Sequence, residues 1–310
     1  MKKIGYALAA LLVCIALLIV SGVRFDVPVE KLLPKYANGQ SKFMTIDGLN
    51  VHYRDDGKGY PLLLLHAAPS SLQTFDGVTA ELAKQYRVIR LDLPGYGLTG
   101  PSAEGDYSVR WYVRFLESFL EALHVQSCCV AGNSLGGRLA VELAYARPAL
   151  VRKMVLLDAD GYPVDDSGVL AMRMARNTLL RPVVRWVTPR FFVAMNLKEV
   201  FGGKSPVPEA TVDRYYELML RAGNRDTFIA MSNRKPEDSS GHIRAIKVPT
   251  LILWGKADTI FPVSYAERFH RDISGSLLKV YDSVGHMPQE LIPDRVAADM
   301  LSFFKGGTVR

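Results

Sequence analysis

The longest uninterrupted apolar stretch comes first. Residues 4–23 are almost entirely apolar, bounded by Lys2 and Lys3 on one side and Arg24 on the other. As a helix rising ~1.5 Å per residue this run would extend about 30 Å, enough to cross a hydrocarbon core. The apolar region of a cleaved signal is shorter, about 7–15 residues. The pattern therefore predicts a retained transmembrane anchor or uncleaved signal over residues 1–24. Cleavage near Ser21-Gly22, where small residues sit, is the alternative. The positive flank predicts a cytoplasmic N-terminus, with the rest of the chain on the non-cytoplasmic side, the periplasm in a bacterium. Residues 25–42 are mixed in composition and carry Pro28, Pro34 and Gly39, which predicts a stalk.

A different rhythm follows. Segments 43–46 and 51–54 flank Asp47-Gly48 and predict an antiparallel hairpin. Segments 61–65, 87–91, 127–131 and 153–157 are apolar on both faces, as central strands of a parallel sheet covered by helices are. Helical patterns at 72–85, 108–123 and 135–146 alternate with them, with Ser108 placed to cap the second. Strand 248–254, helix 263–269, strand 277–281 and helix 288–304 complete the alternation. The expected fold class is α/β, a mostly parallel central sheet flanked by helices.

Residues 161–242 break that alternation with prolines, arginines and amphipathic patches. They are too long for a structureless loop and predict a helical lid, inserted into a core made of residues 43–160 and 243–310.

Charge and composition narrow the partners. The chain has 38 Lys and Arg against 31 Asp and Glu, a net charge of +7. The basic residues are scattered among acids and form no nucleic-acid module, so no nucleic-acid partner is expected; the surplus suits anionic lipid headgroups. Of the three cysteines, Cys14 lies in the apolar run. Cys128 and Cys129 are neighbours on one strand, facing opposite ways, and read as small buried hydrophobes. No clustered His, Cys or carboxylate spacing calls for a metal, and no organic cofactor is expected.

The strongest chemical signal is Gly132-Asn133-Ser134-Leu135-Gly136-Gly137, directly after an apolar strand and directly before a helical pattern. A strand-to-helix turn this tight needs small flanking residues and leaves its central hydroxyl exposed above the sheet. A serine nucleophile needs a base, and the base needs an orienting acid. Of the six histidines, His286 follows a late strand on a loop able to reach over the sheet. His124, His242 and His270 fall at helix ends or in the insertion, and His52 on the opening hairpin. Asp258 lies just beyond a strand end, where functional groups of open parallel sheets collect; Asp158 and Asp160 are the reserve acids. Asp92 sits in a shaped turn, Leu93-Pro94-Gly95-Tyr96-Gly97. Donors for a developing oxyanion would be the backbone N–H groups of Leu135, after the nucleophile, and of Ala68, in His66-Ala67-Ala68-Pro69. His66 braces that loop.

These motifs resemble the α/β-hydrolase superfamily, in particular its capped group with a His-Gly-x-Pro oxyanion loop, an Asp-x-Pro-Gly-x-Gly turn and a late Gly-His. The resemblance covers about residues 43–304 apart from the insertion. It departs at Ala67, where that group has glycine, which bears on the Ala68 donor. The resemblance implies a lid over residues 161–242 that shapes the substrate pocket. It also sets Ser134 against the carboxylate nucleophiles of dehalogenases and epoxide hydrolases.

The expected function is a membrane-anchored serine hydrolase of a carboxylic ester or related acyl bond, acting on a small-molecule or lipid-like acyl substrate. Two alternatives remain at this point: a carbon–carbon bond hydrolase, which Asn133-Ser134 and the Gly-Gly ending resemble, and a noncatalytic ligand-binding protein on the same scaffold.

Overall fold

The computed structural model describes residues 22–163, 170–203, 206–235 and 237–306. Apart from Gly22 and Val23, the expected anchor at 4–23 lies outside them. Among the described residues no helix is long and apolar enough to cross a membrane.

Eight strands form one sheet: β1 (Lys42–Ile46), β2 (Leu49–Asp56), β3 (Tyr60–Leu65), β4 (Tyr86–Leu91), β5 (Cys128–Asn133), β6 (Val151–Leu157), β7 (Thr250–Gly255) and β8 (Leu277–Tyr281). Their order is β1-β2-β4-β3-β5-β6-β7-β8. The opening hairpin and the β2–β4 pair are antiparallel, and every later pairing is parallel.

The strand pleat sorts side chains into two cores. Leu63, Leu65, Ile89 and Cys128 face the helices Val109–Ala122 and Leu135–Ala146. Leu62, Leu64, Val88 and Cys129 face Asp76–Leu82 and Pro293–Phe304. The vicinal cysteines thus enter opposite layers as free thiols, pushed by burial up to about 12 and about 11.

Two helical expectations need adjustment at their ends. The region 72–85 opens with a tight 3₁₀ turn, Leu72–Phe75, before the α-helix Asp76–Leu82. The closing helix is split into Pro288–Leu291 and Pro293–Phe304. Ile292, with φ −137° and ψ 54°, leaves the helical region, as the Pro293 ring disfavours a helical residue before it. Ser108 does cap its helix, accepting the Trp111 N–H at 3.1 Å.

Between β6 and β7 the chain forms helices Leu170–Arg176, Arg181–Trp186, Arg190–Val200, Glu209–Met219, Asn224–Ser232 and Ser240–Ala245.

The stretch expected to be a stalk is instead a docked strap. Its helix Val29–Tyr36 buries Leu32 and Tyr36 against Leu98 and Leu218. Pro28 and Pro34 suggested irregular chain. Pro28, however, is the N-cap residue, outside the helix proper, and Val29, Leu32, Leu33 and Tyr36 share one helical face. Ahead of that helix, Val23 pairs with Val187 and Val27 with Arg221. The pin is Asp26. Its carboxylate takes two hydrogen bonds from Arg185, at 3.0 and 2.7 Å, and one from the buried Arg225 at 2.7 Å. Burial would raise the Asp26 pKa, but the hydrogen bonds and charges of the two arginines hold it below its ordinary 3.8.

Asp26→Asn should therefore strand the Arg225 charge and lower unfolding stability by about 3 kcal/mol, measured by denaturant titration. The stabilisation from Asp26 is complete above the ordinary carboxyl range and fades as pH falls through the lowered value. A variant with an unchanged midpoint at neutral pH would show that the pair does not hold the strap.

Candidate active site

Ser134 occupies the turn between β5 and the helix Leu135–Ala146, with φ 53° and ψ −115°. The glycines around it are required by space. A Cβ on Gly132 would lie 2.1 Å from the Gly136 carbonyl oxygen, one on Gly136 would lie 2.0 Å from the Leu65 carbonyl, and one on Gly137 would lie 2.5 Å from Ala159. The close contacts that force the serine into a left-handed conformation are thus also those that permit only hydrogen at its flanks.

Asp258 and His286 arrive on separate loops, after β7 and β8. Imidazole Nδ1 lies 2.8 Å from Asp258 Oδ2, while Asp258 Oδ1 accepts the N–H groups of Ile260 at 2.7 Å and Phe261 at 3.1 Å. The Phe261 ring meets the imidazole edge-on, with centroids 5.5 Å apart. Ser134, Leu135, Ala68 and His286 all line one cavity of about 460 Å³ between the sheet and the inserted helices. Among the described residues no protein acceptor takes the N–H of Ala68 or of Leu135; at Leu135, the first helical residue, there is no intrahelical partner to take it.

His66 braces the Ala68 loop. Its Nδ1–H donates to the Ala67 carbonyl at 2.7 Å, and its Nε2 accepts the Leu93 N–H at 2.8 Å. This bonding fixes a neutral tautomer, and complete burial pushes the imidazole pKa down.

The two reserve acids have different surroundings. Asp160 pairs with Arg138 at 2.9 Å and accepts the Gly161 N–H at 2.7 Å. Asp158 lies beside the acid–imidazole pair: one atom from each of Asp158, Asp258 and His286 falls within 4.8 Å of the others. Its Oδ1 accepts the Gly255 N–H at 2.9 Å. Burial, and then the negative charge of Asp258, hold its carboxyl well above the usual carboxylate range, which favours its protonated form. This trio is the one group among the described residues spaced to share a metal ion. Backbone N–H groups and the imidazole engage Asp158 Oδ1 and both Asp258 oxygens, which leaves only the buried Asp158 Oδ2 without a partner and makes the trio a poor cation cage.

Two supporting residues escaped the sequence reading. Asn133 donates to the Leu157 carbonyl at 3.0 Å and to the His286 carbonyl at 2.9 Å, and its Oδ1 accepts from Gln289 at 3.1 Å. It thereby ties β5, β6 and the histidine loop together. The motif shows an amide before the serine and another three residues after the histidine; only the fold shows that they meet. The insertion also grips this loop. The His286 N–H donates to the Val200 carbonyl at 2.8 Å, and a Cβ on Gly285 would lie 2.4 Å from that oxygen.

A second Ser–His–Asp chain lies elsewhere. His52, on the hairpin, has Nδ1 2.7 Å from Asp92 Oδ2 and Nε2 2.8 Å from Ser41 Oγ. Ser41 precedes β1 rather than a helix, and the cavity lining includes neither Ser41 nor His52.

The model of the α/β hydrolase fold family matches residues 60–291. Among curated proteins, the chain is similar to the uncharacterized hydrolase YugF of Bacillus subtilis, 28% identical over 84% of this chain and 96% of that protein. Among solved structures, a bacterial membrane phospholipase A, described as a virulence factor, is 25% identical with a TM-score of 0.74, over 99% of both chains. The meta-cleavage product hydrolase of Pseudomonas fluorescens IP01 is also 25% identical, with a TM-score of 0.75, over 86% of this chain and 97% of its own. A match across most of the chain, on a sheet of this order with this elbow, places the protein in the α/β-hydrolase fold family.

Proposed function

We propose that this hydrolase cleaves a carboxylic ester or related acyl bond through Ser134, His286 and Asp258. The observation that carries the reading is the convergence of the elbow serine and the Asp258-bound imidazole on one cavity. Ser134 Oγ adds to the substrate carbonyl carbon as its proton passes to Nε2 of His286. The N–H groups of Leu135 and Ala68 hold the oxyanion. Collapse expels the alcohol, which takes the proton from His286. Water, deprotonated by the same imidazole, then releases the acid and restores the serine.

The largely apolar cavity lining suits an acyl chain. Met172, Val184, Phe192, Leu197 and Phe228 contribute apolar side chains, and of the basic residues that also line it Arg138, Arg225 and Arg234 are paired with Asp160, Asp26 and Glu237, Arg176 and Lys235 being the others. The likeness to the membrane phospholipase A extends over the whole chain, whereas that to the meta-cleavage product hydrolase stops at 86%. Asn133, the residue that resembles the carbon–carbon hydrolases, is fully engaged in holding the histidine loop and says nothing about substrate. We further propose that residues 4–23 anchor the protein in a membrane, with the hydrolase on the non-cytoplasmic side.

A fluorophosphonate probe should label the full-length protein in detergent at Ser134, and Ser134→Ala should abolish both labelling and esterase activity, a loss of about 10⁶ in kcat. Labelling that persists in that variant, at Ser41 for instance, would overturn the assignment. Turnover of a 2-hydroxy-6-oxo-hexa-2,4-dienoic acid faster than any p-nitrophenyl ester would favour carbon–carbon cleavage instead.

The two aspartates should separate cleanly. Asp258→Asn is expected to lower kcat by about 10⁴, and Asp158→Asn by less than about 10-fold, since the amide keeps the acceptor for Gly255 and carries no charge. Folded Asp158 retains its proton where the unfolded residue has lost it, so wild-type stability falls as pH rises above the ordinary 3.8. The Tm of Asp158→Asn should therefore gain on that of the wild type between pH 4 and 7 (about the span over which an unfolded aspartate ionises). A constant difference would mean that Asp158 is ionised in the fold.

A further inference from the structure

The inserted helices next to the strap are apolar on two sides. In Arg181–Trp186 and the residue after it, Val183, Val184 and Val187 line the cavity, while Trp186 faces solvent. In Arg190–Val200, Phe192, Val193 and Leu197 line the cavity, while Phe191 and Met195, one turn apart, are exposed. Leu179, between the first two helices, is 85% exposed, and Phe25 on the strap is 77% exposed. A surface helix ordinarily buries one apolar stripe and presents polar residues outward. Scattered exposed hydrophobics need no explanation, but here they concentrate. Of eleven large exposed hydrophobics among the described residues, only Phe43, Tyr60, Tyr145 and Leu277 lie elsewhere, so the clustering on this segment calls for an occupant.

The chain itself indicates which occupant. The apolar run of residues 4–23 ends where Val23 pairs with Val187 and the Arg24 N–H donates to the Trp186 carbonyl at 2.8 Å. Whatever apolar phase receives that run begins next to Trp186. Charge agrees with a lipid. Residues 170–203 hold six Arg and Lys and one acid, Glu199. Arg185 and Arg190 are paired with Asp26, Asp226, Glu209 and Asp213. Among the described residues no carboxylate pairs with Arg173, Arg181 or Lys198. Apolar and aromatic side chains with basic ones beside them are the composition of helices that lie in an anionic headgroup layer.

We propose that Phe25 and the outward side chains of helices Leu170–Arg176, Arg181–Trp186 and Arg190–Val200 form a docking surface for an anionic lipid bilayer, in which this side of the insertion rests while its inner side lines the acyl cavity. The proposal rests on the reading of residues 4–23 as an anchor and adds the orientation of the folded part. Substrate drawn from that bilayer would have one layer of helices to pass.

The full-length chain, reconstituted in vesicles of phosphatidylcholine and phosphatidylglycerol with brominated acyl chains, tests this directly. Of the three tryptophans, Trp111 and Trp254 are buried and Trp186 is half exposed. Emission should be quenched by the brominated chains, and the quenching should vanish in Trp186→Phe. Protein that floats with the vesicles but is not quenched would overturn the docking surface and leave the anchor standing. Protein that does not float would overturn both, while fluorophosphonate labelling of the same sample reports separately on Ser134. Trp186 shielded from both bromine and aqueous acrylamide would mean that a second copy covers the face, which also overturns the proposal. Leu179→Glu with Phe191→Glu should keep wild-type activity on a soluble ester in detergent, which verifies folding, and lose about tenfold on a vesicle-embedded ester. Equal activity on the embedded ester would count against lipid docking.

Discussion

A buried carboxylate keeps its charge only where hydrogen-bond donors replace the water it has lost. Asp258 is supplied with such partners, two backbone N–H groups on one oxygen and an imidazole on the other. Much of the surrounding structure follows from it. β6 and β7 are parallel neighbours whose carboxyl ends open at the same edge, so the residues that leave them, Asp158 and Asp258, are brought close. Two negative charges there would repel in a medium that screens them poorly. Burial, and then the Asp258 charge, hold the Asp158 carboxyl well above the usual carboxylate range, and two backbone donors go to Asp258 Oδ1. One carboxyl group then faces one imidazole, the pairing that the proposed proton transfer from a serine requires.

The His52–Asp92 pair shows how little that hydrogen bond says by itself. Asp92 also takes two backbone N–H groups, from Leu72 and Leu98, each at 2.8 Å, and its imidazole also reaches a serine. Burial raises the Asp92 pKa, yet His52 and these donors bring it below the usual range. What Ser41 lacks is everything around the pair: a glycine-flanked elbow and a cavity in which an acyl group could sit. This second chain of hydrogen bonds fastens the opening hairpin to the turn after β4. Chemistry requires the space beside the triad as much as the triad.

The sequence revealed most where local and long-range demands coincide. Gly132, Gly136 and Gly137 are small because backbone crowds the elbow from three sides, and the elbow sits at a strand end because the sheet presents it there. Runs such as Leu62 to Leu65 are apolar throughout because both faces are covered. The reading failed where a residue's meaning depended on its partner. Pro28 and Pro34 look like breakers until Leu218 and Leu98 give the helix that starts after Pro28 and contains Pro34 something to pack on. Asp158 looks like a spare acid until burial, and then the charge of Asp258, push its carboxyl pKa up. Asn133 looks only like part of a carbon–carbon hydrolase motif until the His286 carbonyl claims its amide.

A single run of contacts joins the strap to the imidazole. Asp26 fixes Arg185 and Arg225 on two inserted helices; the helix Arg190–Val200 follows directly, and its last carbonyl holds the His286 backbone. Gly285 lies so close beneath Val200 and Phe201 that no side chain fits between them. Movement of that helix end would therefore displace the histidine loop, whose other tether is the Asn133 amide below. An insertion bound to the His286 backbone cannot swing away as a rigid flap without disturbing the proposed triad. The fixed part of the insertion is thus the Val200 end of that helix, while the exposed Phe191 and Met195 lie toward its other end and Leu170, Leu179, Leu180 and Trp186 lie on the segments before it. The proposed docking face therefore lies on the stretch from Leu170 to Met195, and only its far end, at Val200, is held against the loop that carries the proposed catalytic base.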